Sequence, residues 1–139
     1  MANRPIKFRA WNKKEKEMWE VFEIDFHGEK IKGGKGFTKG KGTFYNILIA
    51  NFRDVIPLQF TGLKDKKGVE IYEGDILLWQ NPEEEKGVGD IHEVVFKEGA
   101  FQKRWINTYG KTSFTLLADI NEFEIIGNIY EDKKLLKQK

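Results

Sequence analysis

The sequence predicts a mainly β fold: a small SH3-like or partly open β-barrel with an N-terminal β-hairpin and little helix. Two observations lead there. Short runs alternate apolar and polar residues with the two-residue period of half-buried strands. Between them, glycine and charged clusters recur at close spacing, where the chain has to turn. At 139 residues the chain is long enough for one domain with a useful core, and 40% hydrophobic and 14% aromatic content supplies the material for it.

The elements follow in order. In "IKFRAW", Ile6, Phe8 and Ala10 face one way and Lys7, Arg9 and Trp11 the other. "NKKEKE" is a charged turn. In "MWEVFEIDF" the alternation puts Met18, Phe22, Ile24 and Phe26 on one face, and Trp19 and Val21 on the other with Glu23 and Asp25. The two runs form the predicted hairpin. Residues 29–42, "EKIKGGKGFTKGKG", combine flexible glycines with mutually repelling lysines and are expected to be a mobile loop. "TFYNILIANF" fits either a helical face through Phe44, Ile47 and Leu48 or a buried strand; a short helix is the expectation. These segments make up an N-terminal region, residues 1–54, ahead of a barrel-like body, residues 55–139.

The body opens with "VIPLQFTGL", extended from about Pro57, which cannot donate to a central ladder. In "TGLKDKKGVEIYEGDILLW", residues 61–79, Asp65, Lys66, Lys67 and Gly68 form a polar tip whose glycine can take a positive φ. Val69 and Ile71 then alternate with Glu70 and Tyr72. A second corner follows at Glu73, Gly74 and Asp75, where the carboxylate is placed to accept nearby backbone N–H groups, and "ILLW" leaves it as a buried strand. Beyond the acidic loop "NPEEEKGVGD", the run "IHEVVFK" alternates again, and "FTLLADI" and "FEIIGNIY" supply two further strands. "EDKKLLKQK" closes the chain as a short helical or frayed tail with Asp132 near its cap.

Composition narrows the function classes. Twenty-four basic and 22 acidic residues leave a formal net charge of +2, so no global field attracts nucleic acid and any attraction has to be local. There is no cysteine, which excludes disulfides, thiolate ligands and cysteine nucleophiles and fits a reducing cytoplasm. No apolar run reaches the roughly 20 residues of a membrane span, and "MANRPIKFRAW" lacks a secretory apolar segment. The expectation is a cytoplasmic protein with no membrane partner.

Catalytic patterns fail one by one. Lys41 is followed by Gly42 where a phosphate loop needs Ser or Thr, and Trp105 stands where the glycine preceding Gly110, Lys111 and Thr112 belongs. Lys39 occupies the third glycine position of a dinucleotide fingerprint begun at Gly34 and Gly36. Asp25 with His27, and Asp90 with His92, each put a carboxylate and an imidazole on one strand face, but nothing in the sequence joins the two pairs into a metal site. Ser113, the lone serine, has no nucleophile-elbow context. No catalytic residue, metal or cofactor is assigned.

Binding chemistry is better represented. Lys30, Lys32, Lys35, Lys39 and Lys41 form a cationic segment around Phe37 with no acid between them, and each lysine near a phosphate would release condensed counterions. Lys103, Arg104 and Trp105 form a second basic and aromatic cluster, suited to tracking a single strand by stacking. Phe8, Trp11, Trp19 and Phe22 in the predicted hairpin make a candidate self-association surface for a homo-oligomer, since strand edges call for cover.

Three blocks, "IKFRAWNKKEKEMW", "QFTGLKDKKGVEIYEGDIL" and "FEIIGNIYED", resemble in order and spacing the YopX family of phage and prophage proteins. The resemblance implies a phage-associated, cytoplasmic, mostly β protein and transfers no functional site. The expected role is non-catalytic: an interaction or assembly module in the bacterial host that partners itself or a phage or host protein. Nucleic-acid binding is the alternative, and a metal-dependent enzyme the weakest reading.

Overall fold

Strand pairing accounts for most of the backbone. The computed structural model describes residues 5–80, 83, 89–106, 109–118 and 120–137, and the chain divides into two units, Met1–Gln59 and Phe60–Lys139. The predicted mainly β class with little helix is what is observed: thirteen strands and two short 3-10 turns among the described residues. Among the described residues the sheets are antiparallel and open, without closure into a barrel.

In the first unit β1 (Phe8–Asn12) and β2 (Glu17–Asp25) form the predicted N-terminal hairpin, with Ala10 opposite Trp19. The Asn12 side chain closes its turn by accepting the N–H groups of Lys14 and Glu15 at 3.0 and 2.9 Å. β3 (Lys30–Gly34) pairs with β2, and β6 (Leu48–Asn51) with β3. The first half of β7 (Val55–Lys64) pairs with β1. A separate two-stranded ribbon, β4 (Gly36–Lys39) with β5 (Gly42–Tyr45), interrupts the order between β3 and β6. The core consists of Ala10, Trp19, Ile31 and Val55, flanked by Val21, Ile24, Ala50 and Phe52.

Simple alternation misassigns β2 because the register against β3 shifts between Val21 and Glu23. The extra residue at this bulge puts Trp19, Val21 and Ile24 on the core side and turns Phe22 outward. Residues 29–42, expected to be a loop, carry β3, β4 and the start of β5, and the expected short helix after them is β5 and β6 with a 3-10 turn at Phe52–Asp54. Glycine has a different physical role from the one expected here. A Cβ on Gly33 would collide with the carbonyl oxygen of Glu20 on β2, so its absence permits close backbone approach.

In the second unit the end of β7 pairs with β8 (Glu70–Tyr72) through Phe60 opposite Tyr72 and Lys64 opposite Glu70. β9 (Asp75–Gln80), β10 (Gly89–Lys97), β11 (Ala100–Ile106), β12 (Thr112–Leu116) and β13 (Phe123–Asn128) form a sheet in the order β12-β11-β10-β9-β13. Ile71, Leu77, Val94, Leu117, Ile120 and Phe123 form its core. The closing 3-10 turn, Lys133–Lys137, lies against β10. The two units meet in sequence within β7, five residues after the expected start of the body. Most of the predicted acidic loop at 81–90 lies outside the described residues.

Both predicted corners have the expected construction. At the first, the buried Asp65 carboxylate accepts the N–H groups of Lys67 at 2.8 Å and Val69 at 2.9 Å, while its other oxygen accepts that of Ile125 on β13 at 3.0 Å. Gly68 closes this turn at φ 81°, and at the second corner Gly74 stands at φ 84°. There the carboxylate of Asp75 accepts the Tyr72 N–H at 2.8 Å. Glu124 holds both Lys66 and Lys67 against β13. Its hydrogen bond to Lys67 is the main reason that its carboxyl falls below, and the lysine rises above, the ordinary value.

Candidate functional site

The cationic segment splits into two environments. Lys30 and Lys32 lie on β3 directly opposite Asp25 and Glu23 of β2, and with Ile49 these four line an open groove of about 160 Å³. Lys30 also donates to the Asn51 side chain at 2.8 Å. Each of these lysines thus has an opposite charge facing it across the strands, which offsets the local positive field. Lys35, Lys39 and Lys41 lie on or beside the β4–β5 ribbon, all exposed, and the ribbon carries no carboxylate. Phe37 is paired there with Phe44, a residue that the sequence reading assigned to a helix.

The ribbon is moored at its base. Tyr45 meets Phe22 edge-on, with ring centroids 4.9 Å apart. A hydrogen bond to Glu20, with burial and the Glu20 charge adding to it, raises the Tyr45 phenol above its ordinary value. A phenol is a donor at neutral pH and a carboxylate an acceptor, so Tyr45 donates in this pair.

The second predicted cluster is committed to its own sheet. Arg104 on β11 faces Glu93 on β10 and donates to its carboxylate through Nε at 3.0 Å and through Nη2, both side chains being largely covered. Lys103 extends over the Phe123 ring at 4.8 Å and donates to the Ala118 carbonyl at 3.2 Å. Trp105 stacks on His92, centroids 6.4 Å apart, and His92 in turn meets Phe123 edge-on at 5.2 Å. Lys103 and Trp105 therefore share the sheet face that carries Val94 of the core, Arg104 stands on the opposite face paired with Glu93, and all three already have protein partners.

Among the predicted self-association residues, Trp19 is corrected. It is 1% exposed in the core of the first unit, with its indole N–H donated to Glu17 at 3.0 Å, so it is unavailable to a second subunit. Phe8 and Trp11 are half-buried, and Phe22 is exposed but engaged with Tyr45. The larger exposed apolar group was missed: Ile47, Leu48 and Ile49 at β6, the margin of the first unit's sheet. Its sequence signal was the uncharged run "NILIAN", which helical and strand readings share.

Chemistry elsewhere is sparse. Among the described residues no group of three or more His, Cys, Asp or Glu side chains is arranged to hold a metal ion. Asp25 instead accepts the Gly28 N–H at 2.9 Å. A second open groove, about 250 Å³ and lined by Gly28, Glu29, Asn51, Phe52 and Arg53, falls short of the roughly 300–1,000 Å³ of small-molecule sites. No helix among the described residues is long and apolar enough to cross a membrane.

Comparison with known proteins gives the chain a family. The structure is similar to the crystal structure of protein EF1440 from Enterococcus faecalis, with a TM-score of 0.64 and 27% identity over 96% of this chain and 99% of that one. It is also similar in fold to protein yopX from Bacillus subtilis, with a TM-score of 0.51 and 18% identity over 96% and 97% of the two chains. No curated protein matches the sequence. The YopX protein family model matches residues 7–137, nearly the whole chain, and the chain therefore belongs to the YopX family.

Proposed function

We propose that this protein is a non-catalytic interaction and assembly module, associated with phage or prophage and acting in the host cytoplasm, whose first partner is a second copy of itself. The observation that carries this reading is the β6 margin. Ile49 is 66% exposed there, next to exposed Ile47 and Leu48, and no charged residue lies between Lys41 and Arg53. A neutral apolar edge strand is a template for further pairing, and natural edges usually carry charge or proline to prevent it. Antiparallel pairing of β6 with its own copy closes on a two-fold axis and limits assembly to a dimer. Behind that edge Lys30 and Lys32 of β3 each stand opposite a carboxylate of β2, so their charges are offset within the subunit. The phage setting is supported by the family resemblance.

Light scattering coupled to size separation tests this. The parent is expected to be a discrete dimer, and Ile49→Glu a monomer with an unchanged circular dichroism spectrum. A parent that stays monomeric at high concentration overturns the reading.

A further inference from the structure

The β4–β5 ribbon suggests a second activity, independent of assembly. A two-stranded ribbon by itself is marginal in water, and here every residue of β4 is exposed, as are Thr43 and Phe44 of β5. The pair that holds it together is Phe37 opposite Phe44, with ring centroids 5.9 Å apart and planes 30° from parallel. These rings are nevertheless 43% and 48% exposed, leaving a flat apolar surface uncovered. Residues two apart on a strand share a side at about 7 Å spacing, so Lys39 follows Phe37 on the same side. Lys35 precedes the ribbon at its base. Lys41 stands at the two-residue tip, where Gly40 at φ 64° supplies the positive φ that a type II′ turn requires at its first central position. No Asp or Glu occurs from Lys30 to Arg53.

We infer that the ribbon is a contact arm for single-stranded nucleic acid: unpaired bases stack on the Phe37–Phe44 surface while Lys35, Lys39 and Lys41 reach the adjoining phosphates. An acidic peptide would satisfy the lysines but offers no flat face to the rings. A duplex buries its base faces within the stack, so only an unpaired strand uses both features.

The test is fluorescence anisotropy of labelled oligothymidylate and oligouridylate, each about 20 nucleotides to exceed a single-arm footprint, with a duplex as competitor. Binding at low salt to either strand or to both supports the arm, and the preference identifies DNA or RNA as the source. The K35Q/K39Q/K41Q triple variant should flatten the plot of log affinity against log salt by about 2, since each single-strand phosphate contact contributes about 0.7. Phe44→Ala should weaken binding about tenfold at fixed salt and leave that slope unchanged. Phe44→Tyr, which keeps both the ring and the ribbon, should bind like the parent. Ile49→Glu should retain binding, so that loss of assembly and loss of binding are read separately. Absence of binding at low salt overturns the inference, as does binding indifferent to the lysines, binding indifferent to the loss of the Phe44 ring, or equal competition by duplex.

Discussion

Replacing Asp65 with asparagine separates two roles of one carboxylate. Oδ1 closes the turn through the N–H groups of Lys67 and Val69, and Oδ2 ties that turn to β13 through the N–H of Ile125. Asparagine has the same shape. Its amide oxygen can keep the two turn bonds, but its NH2 group then faces the Ile125 N–H donor to donor. Lys67 and Val69 are exposed, so their N–H groups have water as an alternative, whereas Ile125 is half-buried against the core. A hydrogen bond to a charged acceptor is worth about 1.5–3 kcal/mol, so Asp65→Asn should cost about 2 kcal/mol and Asp65→Ala, which loses all three bonds, about 3–4 kcal/mol. Burial raises the Asp65 carboxyl, but the three backbone donors and the Lys67 charge outweigh it and hold the group below its ordinary 3.8. A depressed folded-state value means the stabilisation is complete above the ordinary value and is lost as pH falls through the folded one. Urea unfolding at about pH 7 and about pH 3 should therefore show a parent-to-variant gap that narrows in acid. An Asp65→Asn protein within about 0.5 kcal/mol of the parent at neutral pH, the range of ordinary surface changes, would refute the account. So would a gap that does not change with pH.

Two further substitutions test the first unit. Trp19→Ala empties a core site lined by Ala10, Ile31 and Val55 and should cost about 3–5 kcal/mol in chemical denaturation, a loss of folding stability as opposed to a selective loss of assembly. Gly33→Ala places a methyl group against the Glu20 carbonyl and should cost about 1–3 kcal/mol, with faster hydrogen exchange confined to the β2–β3–β6 part of the sheet.

The turns were the most legible part of the chain because their interactions are local. The Asp65 and Asp75 carboxylates and the positive φ of Gly68 and Gly74 shape turns within a few positions, while Asp65 also reaches Ile125 and the Gly74 backbone also bonds to Val94 and Ile129. The alternation that gave the class also found β1 and β10, and "FEIIGNIY" reads as the strand that is β13. Alternation failed at β2, where a single bulge reverses which side chains point inward, and that bulge exists only against β3. The candidate site was half legible: the lysines and Phe37 were visible in the composition, while Phe44, Ile47, Leu48 and Ile49 stood in a run that suits helix and strand equally.

Residue order alone determined the β class, the two aspartate corners, the absence of thiol chemistry and the family blocks, since each depends on covalent identity or on neighbours a few residues away. Tertiary pairing decided that a lysine and glycine stretch is three strands, that Trp19 is core, and that two phenylalanines from different predicted elements share one open face. The physical reason is that glycine permits both disorder and the closest backbone approach. Only the position of the Glu20 carbonyl, supplied by another strand, selects between them.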